Sequence, residues 1–301
     1  MALASGTIRP ASGSSDIFVA TADSPIVCTS QYRGPLNIFL IGAGGTGARV
    51  MPPLTQMLRQ GDRIAIIDDD IVEDRNLARQ HFSQRDTGRH KAVVLAERYA
   101  KPGRIEVSAH TVKLNRHDVL NIVLDAIPIT SMSRLYSANV FLGCVDNARA
   151  RAAIQAAIHA LRLDSRLCAW IDVGNETRGG QVLMTLGRWT LRLSAGAYSG
   201  SPGHWTMPTM ESAMPQLLVA RSDDTASCGE RLDLQTVQVN HLAAASMINC
   251  LSWLMLGIPF TAAGAFFSTL NTMQPIKIAK ANFPAMTLNP ETTFADTSAE
   301  V

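Results

Sequence analysis

No Cys-x-x-Cys pair occurs in the chain, whose five cysteines stand at positions 28, 144, 168, 228 and 250. That excludes a four-cysteine zinc site of the usual spacing, and no zinc is expected. An odd number of cysteines, scattered over 301 residues, also argues against a disulfide framework and for a reducing cytoplasm. Excess charge of either sign is missing too, since 27 Lys and Arg face 25 Asp and Glu. A balance this even argues against a nucleic-acid coat and a polybasic membrane anchor, so direct nucleic-acid binding is not expected. Aromatics are few, at 6%, yet 47% of residues are apolar, which is ample for a real core. There is no internal repeat.

Residues 1–30 are rich in Ala, Ser and Thr, with one arginine and no apolar run of signal-peptide type. They read as a flexible arm, taken to reach residue 33. One stretch, Leu242 to Leu270, lacks formal charge and is long enough to span a bilayer. Asn249, Gly257 and Pro259 interrupt it and no basic flank marks a cytoplasmic side, so it reads as a buried helix followed by a strand.

Between these ends the chain alternates strands and helices. An apolar strand over Leu36–Ile41 leads into Gly42-Ala43-Gly44-Gly45-Thr46-Gly47. A helix over Ala48–Arg59 should follow, with Pro52-Pro53 predicting a kink or an early break. Arg63–Ile67 is a second strand, stopping at Asp68-Asp69-Asp70. His90–Ala100 has helical spacing with Val94, Leu95 and Tyr99 inward, and Arg104–Ala109 is the third strand. Residues Lys113 to Ser133 are ambiguous between helix and loop. Asn139–Cys144 is a further buried strand, followed by a helix over Ala148–Leu161. Such alternation with short connections implies a doubly wound, mainly parallel α/β sheet.

The second half reads differently. Cys168–Val173 and Gly180–Leu186 are strands, with Trp189–Leu193 a possible extension of the second. Ser194 to Asp224 has no sustained period and reads as a long loop of the functional kind. Leu232–Leu256 is a long helix, and Gly264–Leu270 and Met273–Ile278 suit an antiparallel pair. The last residues, from 287, read as a frayed tail. Cys144, Cys168 and Cys250 fall in apolar elements and read as core.

The glycine loop, between a strand and a helix, suits a phosphate, because glycines let the backbone approach closely and the helix N-terminus favours negative charge. Asp68 ends the next strand roughly twenty residues on, where a carboxylate can accept ribose hydroxyls. To this point NAD fits as well as ATP. The chain continues Asp68-Asp69-Asp70-Ile71-Val72-Glu73-Asp74-Arg75-Asn76-Leu77-Ala78-Arg79-Gln80. Here it resembles the ThiF/MoeB/HesA family of ubiquitin-activating-type adenylating enzymes. The family pattern is Asp-x-Asp-x-Val, three variable residues, then Asn-Leu-x-Arg-Gln after a Gly-x-Gly-Gly-x-Gly loop. Lys91, opening the following helix, and Asp146-Asn147, after the later strand, match further landmarks of the family.

The resemblance implies a Rossmann-like fold with an antiparallel C-terminal extension, an adenylation domain over residues 34–286, and ATP and Mg²⁺ as cofactors. It implies Gly42, Gly44, Gly45, Gly47, Asp68, Asp70, Asn76, Arg79, Gln80 and Lys91 around the nucleotide, with Arg79 and Lys91 countering phosphate charge and Asp146 holding Mg²⁺. Taken singly, Arg79 also suits a surface ion pair, Lys91 a solvated helix start and Asp146 a helix N-cap. The implied substrate is the C-terminal carboxylate of a small β-grasp, ubiquitin-like protein, and a homodimer is the implied assembly. Small-molecule or tRNA-base carboxylates are the alternative within the family, and an NAD-dependent oxidoreductase is the alternative outside it. Some members capture the activated partner on a thiol where Cys228 stands here, just before a helix; others stop at the adenylate, and both readings are open. The paired Cys-x-x-Cys motifs of many relatives are missing, and Arg33 is the one candidate near the place of the family's N-terminal arginine. The run Ser227 to Gln235 looks closest to the branch found in plasmid-borne ParB-related, ThiF-related (PRTRC) cassettes.

Overall fold

The computed structural model describes residues 26–277 apart from 102, 114–118, 120, 123–136, 164–165, 177, 196–197, 200–201, 206, 208, 215–216, 219–236 and 271. Residues 1–25 of the arm, everything from residue 278 with the tail from 287, much of the Lys113–Ser133 stretch and Cys228 therefore lie outside the described residues. The end of the arm is corrected: Val27–Ser30 is a strand paired with Leu191–Ser194.

The central sheet is built from the apolar runs. Strands β1 (Val27–Ser30), β2 (Leu36–Ile41), β3 (Arg63–Ile67), β4 (Glu106–His110), β5 (Ala138–Gly143), β6 (Cys168–Asn175) and β7 (Gly179–Ala195) appear in chain order. Two short strands, β8 (Tyr198–Ser199) and β9 (Gly203–Trp205), and the final pair β10 (Ala262–Ser268) and β11 (Thr272–Lys277) complete the set among the described residues. The order across the sheet is β11-β10-β7-β6-β5-β2-β3-β4. From β6 to β4 every pairing is parallel, and β7, β10 and β11 add antiparallel. Every residue of β2 and β5 is buried, as expected for central parallel strands covered on both faces. Phe39 and Phe141 stack across that pair, their ring centroids 5.0 Å apart. The mainly parallel sheet with an antiparallel C-terminal extension is therefore as the sequence implied.

Helices α1 (Gly47–Met57), α2 (Asp74–Leu77), α3 (Lys91–Tyr99), α4 (Ala148–Leu163), α5 (Met210–Ala213) and α6 (Val237–Leu256) fill the connections. Right-handed crossovers put α1 and α3 on one face and α4 on the other, because the chain reverses direction across the sheet between β2 and β5. Long α6 packs against α1, β6, β7 and β10. It is long and apolar enough to cross a membrane, but Val239, Ala243, Met247, Leu251 and Leu254 are buried within the fold. Val94 and Leu95 are buried on α3, and Tyr99 packs beside them.

Two further expectations are corrected. Of the kink or early break expected at Pro52-Pro53 the break does not occur, since α1 runs through both to Met57. Both prolines sit on its half-exposed side, with Val50, Met51, Leu54 and Thr55 holding the buried one. As the sequence implied, Trp189–Leu193 extends the Gly180–Leu186 strand, and β7 is one strand of 17 residues. Its pairing skips Gly187, since Cys168 faces Arg188 and Ala169 faces Leu186. A bulge there bends the strand, so its second half pairs with β1, β8 and β9 instead. Second, the stretch read as a long loop from Ser194 contains β8, β9 and α5.

Candidate nucleotide site

The strand order reverses between β2 and β5, and the crevice at their C-terminal ends is where open α/β sheets take ligands. The glycine loop forms one wall. Gly42 has a φ of +92°, and a Cβ there would lie 2.5 Å from the Cys144 carbonyl oxygen at the end of β5. At Gly47 a Cβ would overlap the Gly42 carbonyl itself. Only glycine permits this tight turn into α1. Gly44, by contrast, opens onto space with nothing within 4 Å of a built Cβ, leaving room for a ligand to reach the backbone. No acidic residue stands in the first turn of α1 to compete for its positive end.

Asp68 ties the loop to β3. Its carboxylate accepts from the Ala43 N–H at 2.6 Å and from the Asp70 N–H at 2.9 Å. Burial pushes this carboxyl up to about 6, against the opposing pull of Lys91. Lys91 opens α3, its side chain 6% exposed, and its ammonium donates to Asp70 Oδ2 at 2.8 Å. Asp70's side chain is 67% exposed. The pair thus joins a buried cation to a solvated anion, and an incoming phosphate can take over the ammonium at little cost.

The chain from residue 71 to 90 is a closed excursion. An Ile71–His90 bridge and the Val72–Arg89 and Gly88–Val72 backbone bonds pinch its base. Asp86 accepts from the Ser83 N–H at 2.7 Å and from Arg98 at 2.6 Å, fixing the far side. Within this frame Asn76 is buried and its side-chain oxygen accepts from the Glu73 N–H at 3.0 Å, so part of it serves as a local cap. Arg79 and Gln80 are buried in the turn that follows α2, and the Gln80 N–H donates to the Asn76 carbonyl.

The opposite wall is the turn between β5 and α4. Asp146 is exposed there. The cap of α4 is its neighbour: the Asn147 side-chain oxygen accepts from the Ala150 N–H at 2.8 Å. Among the described residues no group of three or more His, Cys, Asp or Glu gathers to hold a metal. The wall instead offers one exposed carboxylate, that of Asp146. That suits Mg²⁺, which keeps waters and phosphate oxygens in its shell.

Several residues at this site escaped the sequence reading. Thr46, Asn175 and Asn240 form a network behind the loop, with Asn175 Nδ2 donating to Asn240 Oδ1 at 2.7 Å and Thr46 Oγ1 donating to the same oxygen at 3.1 Å. Arg49 donates to the Gly45 carbonyl at 2.7 Å. Arg151 and Asp172 make an ion pair of 2.8 Å with side-chain exposures of 6% and 1%.

Arg33 is placed away from this crevice. Its guanidinium donates to the Ser30 and Tyr32 carbonyls at 3.1 and 2.7 Å and packs against Gly257, past the end of α6. Burial pushes the thiols of Cys28 and Cys250 up to about 12 and raises that of Cys144, so none of these three is a ready nucleophile. Cys168 is fully buried in β6.

The ThiF family model matches residues 34–281. Among solved structures, PaaA has 14% identity and a TM-score of 0.51, with 82% of this chain and 64% of that one covered. MccB of E. coli with ATP has 17% identity and a TM-score of 0.49, covering 81% and 64%. The tRNA N6-threonylcarbamoyladenosine dehydratase TcdA of E. coli, in complex with AMP, reaches 25% identity over 42% of this chain and 47% of its own, with a TM-score of 0.32. The likeness to PaaA is one of fold, and this chain spans 64% of the PaaA and MccB chains. No curated protein sequence matches. With its family model matched from residue 34 to residue 281, the chain belongs to the ThiF family.

Proposed function

We propose that the protein uses MgATP to adenylate a carboxylate, and that the acyl substrate is the C-terminus of a small ubiquitin-like protein. The observation that carries this reading is the arrangement at the β2–β5 crevice. An open glycine loop is tied through Asp68 to the buried ammonium of Lys91, and Asp146 stands exposed on the facing wall. Attack of a carboxylate oxygen on the α-phosphate forms an acyl–phosphate bond and breaks the α–β bridge, releasing pyrophosphate. Such a transfer needs positioning and fixed positive charge more than covalent help. In this reading Lys91 and Arg79 meet the phosphates, Asn76 and Gln80 add neutral contacts, Asp68 receives the ribose hydroxyls, and Asp146 would hold Mg²⁺. Bound Mg²⁺ would offset phosphate charge. Hydride transfer to NAD has no comparable use for this cationic set, which favours ATP. Cys228, ahead of α6, is the thiol that would capture the activated partner.

Calorimetry should find MgATP bound in preference to NAD at pH 7.5. ATP affinity should then fall as the pH drops through about 6, by up to about tenfold per pH unit, as Asp68 takes up a proton and loses its acceptor capacity. The sign for folding is opposite. A carboxyl raised from 3.8 to about 6 favours the folded state as the pH falls across that window, so weaker binding there would not reflect loss of the fold through this group. Asp68→Asn should flatten the pH profile. Equal NAD binding, or a wild-type profile level from pH 5 to 7.5, would count against the assignment.

A further inference from the structure

The Arg151–Asp172 pair is buried, charged and without a task in the chemistry above. We propose that it is a positioning device: it sets the turn that carries Asp146 and so aligns that carboxylate with the phosphate end of the nucleotide. The inference rests on the nucleotide-site reading.

Three bonds define the device. Arg151 Nε donates to Asp172 Oδ2 at 2.8 Å, and its Nη2 donates to the Val145 carbonyl at 2.7 Å and the Val173 carbonyl at 3.3 Å. Val145 immediately precedes Asp146. Asn147, on the other side, caps α4, the helix on which Arg151 sits. One planar guanidinium therefore fastens the β5–α4 turn to the end of β6, with the Asp146 backbone held between a fixed carbonyl and a fixed cap.

The fit around the pair leaves little slack. A Cβ on Gly143, the last residue of β5, would overlap Asp172 Oδ1 and lie 2.9 Å from the Trp170 indole nitrogen. Both buried side chains thus close on the strand end from which the Asp146 turn departs.

Adhesion alone would not call for charge here. Taking two ions out of water costs several kcal/mol apiece, and a well-packed apolar pair can hold a helix to a strand at least as well. A guanidinium adds direction: its planar set of donors engages a carboxylate and two carbonyls at fixed angles, which an ammonium or an apolar group cannot reproduce. The strength of that directionality is spent on a turn whose one exposed acid is Asp146.

The test compares ATP binding with and without Mg²⁺ by calorimetry, alongside thermal unfolding, for five chains: wild type, Asp146→Ala, Arg151→Met with Asp172→Leu, all three substitutions together, and Arg151→Lys. The paired substitution removes both charges at once, so no buried ion is orphaned. It should melt near wild type and bind ATP alone unchanged, yet lose at least tenfold of the tightening that Mg²⁺ brings. Adding Asp146→Ala should then cost nothing further in that Mg²⁺ effect, because both changes remove one alignment. Arg151→Lys keeps the charge and loses the planar fork, and should show a partial loss with the fold intact. A folded paired variant with full Mg²⁺ tightening, while Asp146→Ala loses it, would overturn the positioning role and leave the nucleotide site standing. Full tightening in Asp146→Ala as well would overturn both. If the paired variant does not fold, Arg151→Lys decides, and an unchanged Mg²⁺ effect in it overturns the proposal.

Discussion

An Asp146→Ala chain should keep its Tm and lose ATP–pyrophosphate exchange by about 10²–10³-fold, the usual scale for removing one fixed partner of the reacting charge. The separation of stability from activity follows from the turn. Asp146 is exposed, and the hydrogen bond that caps α4 comes from Asn147 at 2.8 Å. Asn147→Ala should therefore do the reverse in its first effect, costing about 1 kcal/mol of stability as a lost cap does. If Asp146→Ala instead lowers the Tm by several degrees and exchanges normally, the carboxylate belongs to the helix and not to the reaction.

Lys91→Met should also remove exchange by about 10²–10³-fold, with a stability change near zero. The asymmetry of its ion pair is the reason. The lysine side chain is 6% exposed and the Asp70 side chain 67%. Breaking a fully buried pair leaves a stranded charge and costs several kcal/mol, but Asp70 freed here remains in water. Buried Asp68, which loses the pull of Lys91, can take up a proton instead of standing as an unpaired charge. Methionine fills the volume of the lysine stem. Denaturant titration beside exchange kinetics separates the two readings: a variant that unfolds early while its folded fraction exchanges at the wild-type rate would reduce Lys91 to a structural residue.

How much of this was legible in the sequence varies with the range of the interaction. The central strands were plain because six consecutive buried residues, as in β2 and β5, leave an apolar run that needs no partner to be recognised. The glycine loop and Asp68 were legible for the same reason, each being tied to the end of a strand. The proline pair does not end the helix because its lost hydrogen bonds fall on the half-exposed side. In β7 the extension past Gly187-Arg188 was legible, but not the bulge there that carries one strand from the main sheet to a second set of partners. β8 and β9, two and three residues long, are too short to carry a period. The network behind the loop was out of reach for another reason: Thr46 and Asn240 are 194 positions apart, and Thr46 and Asn175 are 129 apart. Nothing local in an asparagine on an apolar helix marks it as a partner for a phosphate loop. Arg151 and Asp172 are 21 apart, but arginine in a helix and aspartate in a strand carry no joint signature until the strands are in register.

Labelled pyrophosphate exchange into ATP tests the central claim most directly, since it requires nucleotide, metal and acyl substrate in one reversible step. Wild-type protein with MgATP and a β-grasp protein ending in Gly-Gly should incorporate label into ATP, and the same partner with its C-terminal carboxylate amidated should not. Hydrolysis of ATP to ADP and phosphate, with no label entering ATP from any protein or small-molecule carboxylate supplied, would contradict adenylation at this crevice.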